Sequence, residues 1–125
     1  MLRVTRYDHD PPTEKSEVDV YIIVVKFPVK PDWSERWMDL VDGFTTATRA
    51  EPGNLFFEWS RSVEDPDTFV LVEGFTDDGA GPHVSSEHFQ QAMRDLPQAL
   101  ARTPQIISKQ VEGEGWGPMG ELEVA

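Results

Sequence analysis

The hydrophobic and polar positions along the chain first indicate four β-strands. Short runs of β-branched and aromatic residues, typical of strands, occur at 18–27, 54–63, 68–76 and 105–112. The second and third runs are separated only by Glu64-Asp65-Pro66-Asp67, in which proline follows aspartate as a type I turn prefers. These two runs therefore predict a β-hairpin.

Two other segments repeat apolar residues at helical spacing. The first predicts an amphipathic helix over residues 33–50, with Asp32 as its N-cap and Pro52-Gly53 ending it. The second follows a connector at 77–82, which we expect to be flexible, and starts from a cap at Ser85 or Ser86. Pro97 interrupts it, and a further turn is expected over residues 98–102. The apolar faces of the two helices comprise Trp33, Trp37, Leu40, Val41, Phe44 and Thr48 in the first and Phe89, Ala92, Met93 and Leu96 in the second.

The element order is strand, helix, strand, strand, helix, strand. This order predicts an α+β fold of the ferredoxin-like βαββαβ type, in which a four-stranded antiparallel sheet carries both helices on one face. We place the folded domain at residues 17–112, after a flexible N-terminal arm at 1–16. The tail at 113–125 is expected to extend the last strand and to contact a dimer partner.

Both faces of the predicted sheet are apolar. In the first strand Val20, Ile22 and Val24 lie on one side, whereas Ile23 and Val25 lie on the other. A sheet with one solvated face would instead alternate apolar and polar residues. Since two helices cover one face only, we predict that a second copy of the chain covers the other, forming a homodimer. The alternative is that the N-terminal arm or the tail folds over that face.

Composition excludes several classes of protein. The net charge of −12 argues against binding to nucleic acid or to an anionic membrane surface. The chain has no cysteine, so disulfides and thiol chemistry are excluded. We find no signal-peptide pattern and no apolar run long enough to cross a bilayer, and we expect a cytoplasmic protein.

The stretch from Arg49 to Met93 reads RAEPGNLFFEWSRSVEDPDTFVLVEGFTDDGAGPHVSSEHFQQAM. Its Glu-Pro-Gly helix stop, its hairpin ending in an acidic-aromatic strand and its two histidines before phenylalanine resemble the antibiotic biosynthesis monooxygenase (quinol monooxygenase-like) family. The resemblance spans about residues 18–112. It implies a dimeric α+β barrel that oxygenates phenolic or quinol-type substrates with O₂ and without metal, flavin or other cofactor.

The resemblance assigns His83 and His88 as the catalytic candidates, because histidine is the natural base near neutral pH. A histidine at a helix start is more often structural, capping the helix or hydrogen-bonding to the backbone, so this alternative stays open for both. The predicted substrate-binding residues are Trp59, Phe57, Phe75, Trp37 and Arg61, with Trp33 and Arg49 as further candidates. Trp33 and Trp37 also fit the core.

Three further features of the sequence, each with acidic or histidine side chains, do not predict a metal or catalytic site. The spacing of five between His83 and His88 does not place them on one helical face, and no third ligand is spaced in support, so no metal site is expected. Glu73 lies on the same side of its strand as Leu71 and Phe75, which leaves a buried acid open, but an exposed edge position or a salt bridge is favoured. The acidic run Asp8-His9-Asp10 lies in the arm and is expected to be solvated.

The resulting functional hypothesis is a cofactor-independent monooxygenase acting on a small aromatic or quinol-type compound. Two alternatives stay open on the sequence alone. One is an isomerase that uses the same histidine base on a small carbonyl compound, and the other is a non-catalytic, ligand-binding dimer whose aromatic residues fill the pocket.

Overall fold

The structure is a computed structural model that describes residues 19–124, and the predicted N-terminal arm lies outside the described residues. It contains four strands, four α-helices and two short 3₁₀-helices. In chain order these are β1 (Asp19–Pro28), a 3₁₀-helix (Pro31–Arg36), α1 (Trp37–Leu40), α2 (Asp42–Arg49), β2 (Asn54–Arg61), β3 (Thr68–Thr76), α3 (Ala80–Ser85), α4 (Glu87–Asp95), a 3₁₀-helix (Leu96–Ala99) and β4 (Gln105–Glu112).

The four strands form one antiparallel sheet in the order β2-β3-β1-β4. This order places the two sequence halves side by side, with β1 and β3 in the centre, as the ferredoxin-like topology requires. The predicted fold class is therefore confirmed. Within the described part of the chain, no helix is both long enough and apolar enough to cross a membrane.

The helical segments differ from the prediction in two places. The helix predicted over residues 33–50 is divided into the 3₁₀-helix, α1 and α2, and it is preceded by Lys30 with no side-chain cap, so Asp32 is not the N-cap. The connector predicted to be flexible is helical from Ala80 onward. Pro82 fits there because its position in the first turn requires no intrahelical N–H bond.

The strand register defines two apolar faces, as expected. On the helix-covered face, Val25, Phe27, Phe57, Phe69 and Leu71 are buried and pack with residues of the helices. That core also includes Val29, Trp37, Val41, Ala92, Leu96 and Ala99.

The opposite face, called here the open face, carries the alternate residues of each strand. Val24 pairs with Val72 on one side and Ile107 on the other, and these three side chains share the open face. Ile107 is 72% exposed, and Val72 is half-buried. The open face is thus apolar, and no helix of residues 19–124 covers its centre.

The C-terminal tail covers one end of the open face. β4 ends at Glu112, and the chain turns at Gly113 and Gly115, whose φ angles of 113° and 111° favour glycine. Trp116 then packs on Phe56 of β2 at the far edge of the sheet, with 5.5 Å between ring centroids. The tail therefore does not extend β4 as a strand, and part of it folds over its own sheet.

A close backbone contact fixes the α2–β2 turn against the start of α3. A Cβ atom added at Gly53 would lie 2.6 Å from the Cα atom of Gly79. The backbone N–H of Thr76 donates to the carbonyl of Gly53 at 2.8 Å, and that of Gly79 donates to the carbonyl of Thr76 at 2.9 Å. Only glycine fits at this contact without displacing the backbone.

We expect Gly53→Ala to lower the free energy of unfolding by about 1–3 kcal/mol, because the added methyl group must push two backbone segments apart. Gly43→Ala in α2 is the matched control, since a Cβ atom there meets nothing within 4 Å. Alanine favours helix over glycine, so this control keeps or raises stability by up to about 1 kcal/mol. Urea denaturation measures both, and equal effects of the two variants would contradict the packing argument.

Candidate active site

One carboxylate oxygen binds both candidate histidines. Oε2 of Glu51 lies 2.8 Å from Nδ1 of His83 and 2.5 Å from Nε2 of His88. Glu51 follows α2 in the turn to β2, whereas His83 lies in α3 and His88 in the first turn of α4. Three separate elements thus meet at a single oxygen atom.

The break between α3 and α4 allows the two histidines to converge. Ser86 has extended backbone angles, and its side-chain oxygen accepts a hydrogen bond from the N–H of Phe89 at 3.1 Å. This confirms Ser86 as the predicted N-cap. Because the chain changes direction at Ser86, the spacing of five residues no longer separates His83 from His88 as it would on one continuous helix.

The two histidines differ in burial. His83 is 3% exposed, and its ring lies among those of Phe75, Phe89 and Phe44, at centroid distances of 4.7, 5.1 and 5.8 Å. The side chain of His88 is 25% exposed. A molecule arriving from solvent therefore reaches His88 before His83.

Glu73 of β3 adds a second buried carboxylate. Its Oε1 atom lies 3.8 Å from Nε2 of His83, and no residue in the described part of the chain forms a hydrogen bond with it. Burial, together with the charge of Glu51, raises the pKa of Glu73 from 4.5 to about 7. The favoured exposed edge position for Glu73 is wrong, because β3 is a central strand and Glu73 points to the helix-covered face. Its burial and its ionic contact with His83 agree with the two other possibilities that the sequence left open.

The hydrogen bonds define which ring nitrogens carry protons. An ionised carboxylate oxygen only accepts, so Nδ1 of His83 and Nε2 of His88 donate to Glu51. In the neutral form, each imidazole then keeps its lone pair on the other nitrogen. For His83 this atom faces Glu73, and for His88 it is Nδ1.

The predicted substrate-binding residues do not all gather at this cluster. Phe75 and Phe57 lie against His83, with ring centroids 4.7 and 6.5 Å from its own. Both are fully buried, as is Trp37, so all three are core residues in this chain. Trp33 is half-buried and packs against the same core.

Trp59 and Arg61 lie further along β2. They line a separate groove of about 340 Å³ with Ser34, Glu35, Met38, Ser60 and Phe69. Arg61 pairs with Glu35 at 3.1 Å. Arg61 follows Phe57 by four positions, which corresponds to about 13 Å along a strand. Arg61 therefore serves a different surface from the histidines.

The Arg49 side chain forms hydrogen bonds with the backbone of β2. Its Nε and Nη2 atoms donate to the carbonyl of Phe57 at 3.1 and 2.9 Å. These bonds join α2 to β2 just before Glu51, so the guanidinium holds the turn that presents the carboxylate.

Sequence reasoning missed Glu51 as a site residue. In the sequence it stands within Glu51-Pro52-Gly53, whose proline and glycine explain the segment fully as a helix stop. The nearest signal in the sequence was the position of Glu51 itself, an acidic residue directly before Pro52-Gly53. Glu51 also supplies the third possible ligand whose lack was the reason for expecting no metal site.

The fold and this cluster define a ferredoxin-like α+β protein with a buried histidine–glutamate site. The sequence model of the antibiotic biosynthesis monooxygenase family matches residues 20–95, which is more than half of the chain. The chain belongs to this family. No curated protein is similar enough in sequence to be matched.

Solved structures share the same fold. A candidate antibiotic biosynthesis monooxygenase from Nitrosomonas europaea is 24% identical, with a TM-score of 0.68 over 77% of this chain and 93% of the other. A conserved protein from Methanosarcina mazei Go1 is 21% identical, with a TM-score of 0.68 over 74% and 92%. Rv0793 from Mycobacterium tuberculosis is 22% identical, with a TM-score of 0.66 over 72% and 92%. At these identities the likeness concerns the fold.

Glu73 makes stability depend on pH in a defined direction. The folded state keeps the Glu73 proton up to about pH 7, whereas the unfolded chain releases it near 4.5. Stability is therefore lost as pH rises through this window, by up to about 3 kcal/mol. We expect Glu73→Gln to remove that loss, so its stability relative to the unmodified protein increases between pH 5 and pH 8.

Urea denaturation at several pH values checks this expectation. Glu64→Gln, in the exposed β2–β3 turn, controls for the loss of one negative charge. The stability difference between the Glu73→Gln variant and the unmodified protein could instead stay constant with pH. That result would show that Glu73 is ionised in the folded protein throughout pH 5 to 8 and would contradict the expectation.

Proposed function

We propose that this protein is a cytoplasmic, cofactor-independent monooxygenase that oxidises a small aromatic or quinol-type compound with O₂. The single observation that carries the proposal is the Glu51 carboxylate bound to both His83 and His88. A carboxylate that orients an imidazole is the arrangement that general-base catalysis requires. Membership of the antibiotic biosynthesis monooxygenase family supports the choice of reaction.

His88 is the base in this proposal, because it is the histidine that solvent reaches. Glu51 holds the proton on Nε2, so Nδ1 presents its lone pair to the substrate. Protonation of Nδ1 then creates an imidazolium beside an ionised carboxylate, which stabilises it. Glu51 and His83 act as positioning residues.

The chemistry places few demands on the protein. His88 removes a proton from a substrate hydroxyl or activated C–H group, and the resulting anion reduces O₂ directly. One oxygen atom remains in the product, and the other leaves as water with two hydrogens of the substrate. The substrate supplies all the electrons. Phe44, whose ring centroid lies 6.3 Å from that of His88, supplies an apolar wall beside the base.

Replacement of His88 tests the proposal. We expect His88→Ala to reduce O₂ consumption with quinol-type substrates by about 10²–10⁴-fold, the usual contribution of a general base. Glu51→Gln, which preserves shape but not charge, is expected to reduce it as well. The measurement uses an oxygen electrode in chelator-treated buffer.

His9→Ala is the matched control, because it removes the remaining one of the three histidines. Its oxygen consumption is expected to equal that of the unmodified protein. Unchanged consumption by the His88→Ala variant would remove His88 from the role of base, and an absence of O₂ uptake with every quinol tested would reject the monooxygenase function.

Two alternatives are each favoured by one observation. The same histidine–glutamate pair suits an isomerase acting on a small carbonyl compound, and turnover under argon would distinguish this function, since no O₂ is consumed. The near-complete burial of His83 among aromatic rings favours a non-catalytic, ligand-binding protein instead. Quinols that raise the melting temperature without turnover would support that reading.

We also propose that the protein acts as a homodimer joined through the open face. This face is apolar at its centre, and the tail covers only one end of it. A second copy would bury Ile107 and the half-buried valines around it, whereas exposure of the whole patch in a monomer is unfavourable. The proposal does not depend on the reaction.

Two neighbouring residues of β4 give a matched test. Ile107 lies on the open face and Ile106 on the other, and they are 72% and 64% exposed. We expect Ile107→Glu to dissociate the dimer, because it buries a charge at the interface, and Ile106→Glu to leave it intact. Sedimentation at micromolar concentration measures both. A species of 14.2 kDa alone for the unmodified protein would reject the dimer.

A further inference from the structure

We propose that Glu51, His83 and His88 form a binding site for a divalent transition-metal ion such as Zn²⁺. The three donor atoms, one from each side chain, all lie within 4.8 Å of one another. Two imidazoles and one carboxylate are a ligand set that suits Zn²⁺ and its neighbours in the first transition series. The remaining coordination positions would be taken by water.

The geometry requires a small adjustment. Two ligands of a tetrahedral ion lie about 3.4 Å apart when each is about 2.1 Å from the metal. The Glu51 oxygen lies 2.8 and 2.5 Å from the two ring nitrogens, which are hydrogen-bond distances. As the ion replaces the two shared protons, the Glu51 oxygen must therefore separate from each nitrogen by less than about 1 Å, and the two nitrogens, which lie within 4.8 Å of each other, must approach to about 3.4 Å. The side chain of His88, which is 25% exposed, has room to move outward.

The second carboxylate oxygen of Glu51 gives the first independent indication that a cation binds here. Oε1 of Glu51 is buried and has no hydrogen-bond partner among residues 19–124. A buried carboxylate oxygen without a partner is costly, and binding to a cation would satisfy it. The same carboxylate can therefore bind an ion through one oxygen or both.

Glu73 is the second indication. Its side chain is 8% exposed, and its unpartnered Oε1 faces Nε2 of His83 at 3.8 Å. If Nδ1 of His83 binds an ion, Nε2 carries the proton and can donate it to Glu73 after a short approach. Metal-binding histidines usually donate their second N–H to a carboxylate in this way. Glu73 thus supports the ligand His83 without contacting the ion.

Metal binding and base catalysis would exclude each other at this site. An ion on Nε2 of His88 leaves the proton on Nδ1, so the imidazole can no longer accept one. A bound ion would therefore act as an inhibitor of the proposed oxygenase. Only this consequence rests on the proposed function, since binding itself is measured without substrate.

The test uses the untagged full-length protein after treatment with a chelator. We expect equilibrium dialysis with Zn²⁺ and elemental analysis to give one ion per chain, and Co²⁺ to give visible absorption bands typical of tetrahedral coordination. Glu51→Gln and His88→Gln are expected to abolish binding, and Glu73→Gln to weaken it by roughly tenfold. Circular dichroism establishes that each variant is folded, and His88→Gln, at the more exposed position, decides the matter if Glu51→Gln does not fold.

His9→Ala is again the matched control and is expected to bind as the unmodified protein does. The proposal is overturned if the unmodified protein retains no Zn²⁺ after dialysis, if His88→Gln retains it fully, or if His9→Ala loses it. Nitrogen NMR of the imidazole rings identifies the ligand atoms. On addition of Zn²⁺, we expect the nitrogen chemical shifts of Nδ1 in His83 and Nε2 in His88 to change. One bound ion in a protein that consumes no O₂ would reject the oxygenase while the metal site stands.

Discussion

A single carboxylate oxygen, Oε2 of Glu51, joins three parts of the chain that are distant in sequence. It accepts hydrogen bonds from His83 in α3 and His88 in α4, while Glu51 itself belongs to the turn that ends α2. Because the site is largely buried, these bonds are made in a medium of low dielectric, where an unpaired charge would be costly. The orientation of both imidazoles, and hence any acid–base or metal chemistry, depends on this one oxygen.

The surrounding structure serves to hold that oxygen in place. The Arg49 guanidinium binds the Phe57 carbonyl next to the turn, and the contact between Gly53 and Gly79 brings α3 close to it. Glu73 lies behind His83 on the central strand β3. A buried network of this kind fixes the positions of its members because each broken bond leaves a polar atom without water or partner.

The sheet has a second function beside that of supporting the site. Its helix-covered face forms the core, and its open face is apolar; among the described residues, Trp116 of the tail reaches Phe56 on that face. In the single chain, glycines with positive φ angles let the tail turn back across the sheet, which a continuation of β4 would have prevented.

Periodicity alone determined the element order, the antiparallel sheet and its two apolar faces, because strand and helix patterns are local properties of sequence. The sequence also narrowed the cap of the second helix to Ser85 or Ser86, and the family resemblance pointed to His83 and His88 as candidates. Only the tertiary structure decided that Glu51 unites these histidines, that Glu73 is buried, and that Trp59 and Arg61 belong to another groove. Those outcomes depend on contacts between residues up to 37 positions apart, as between Glu51 and His88, which no local pattern records.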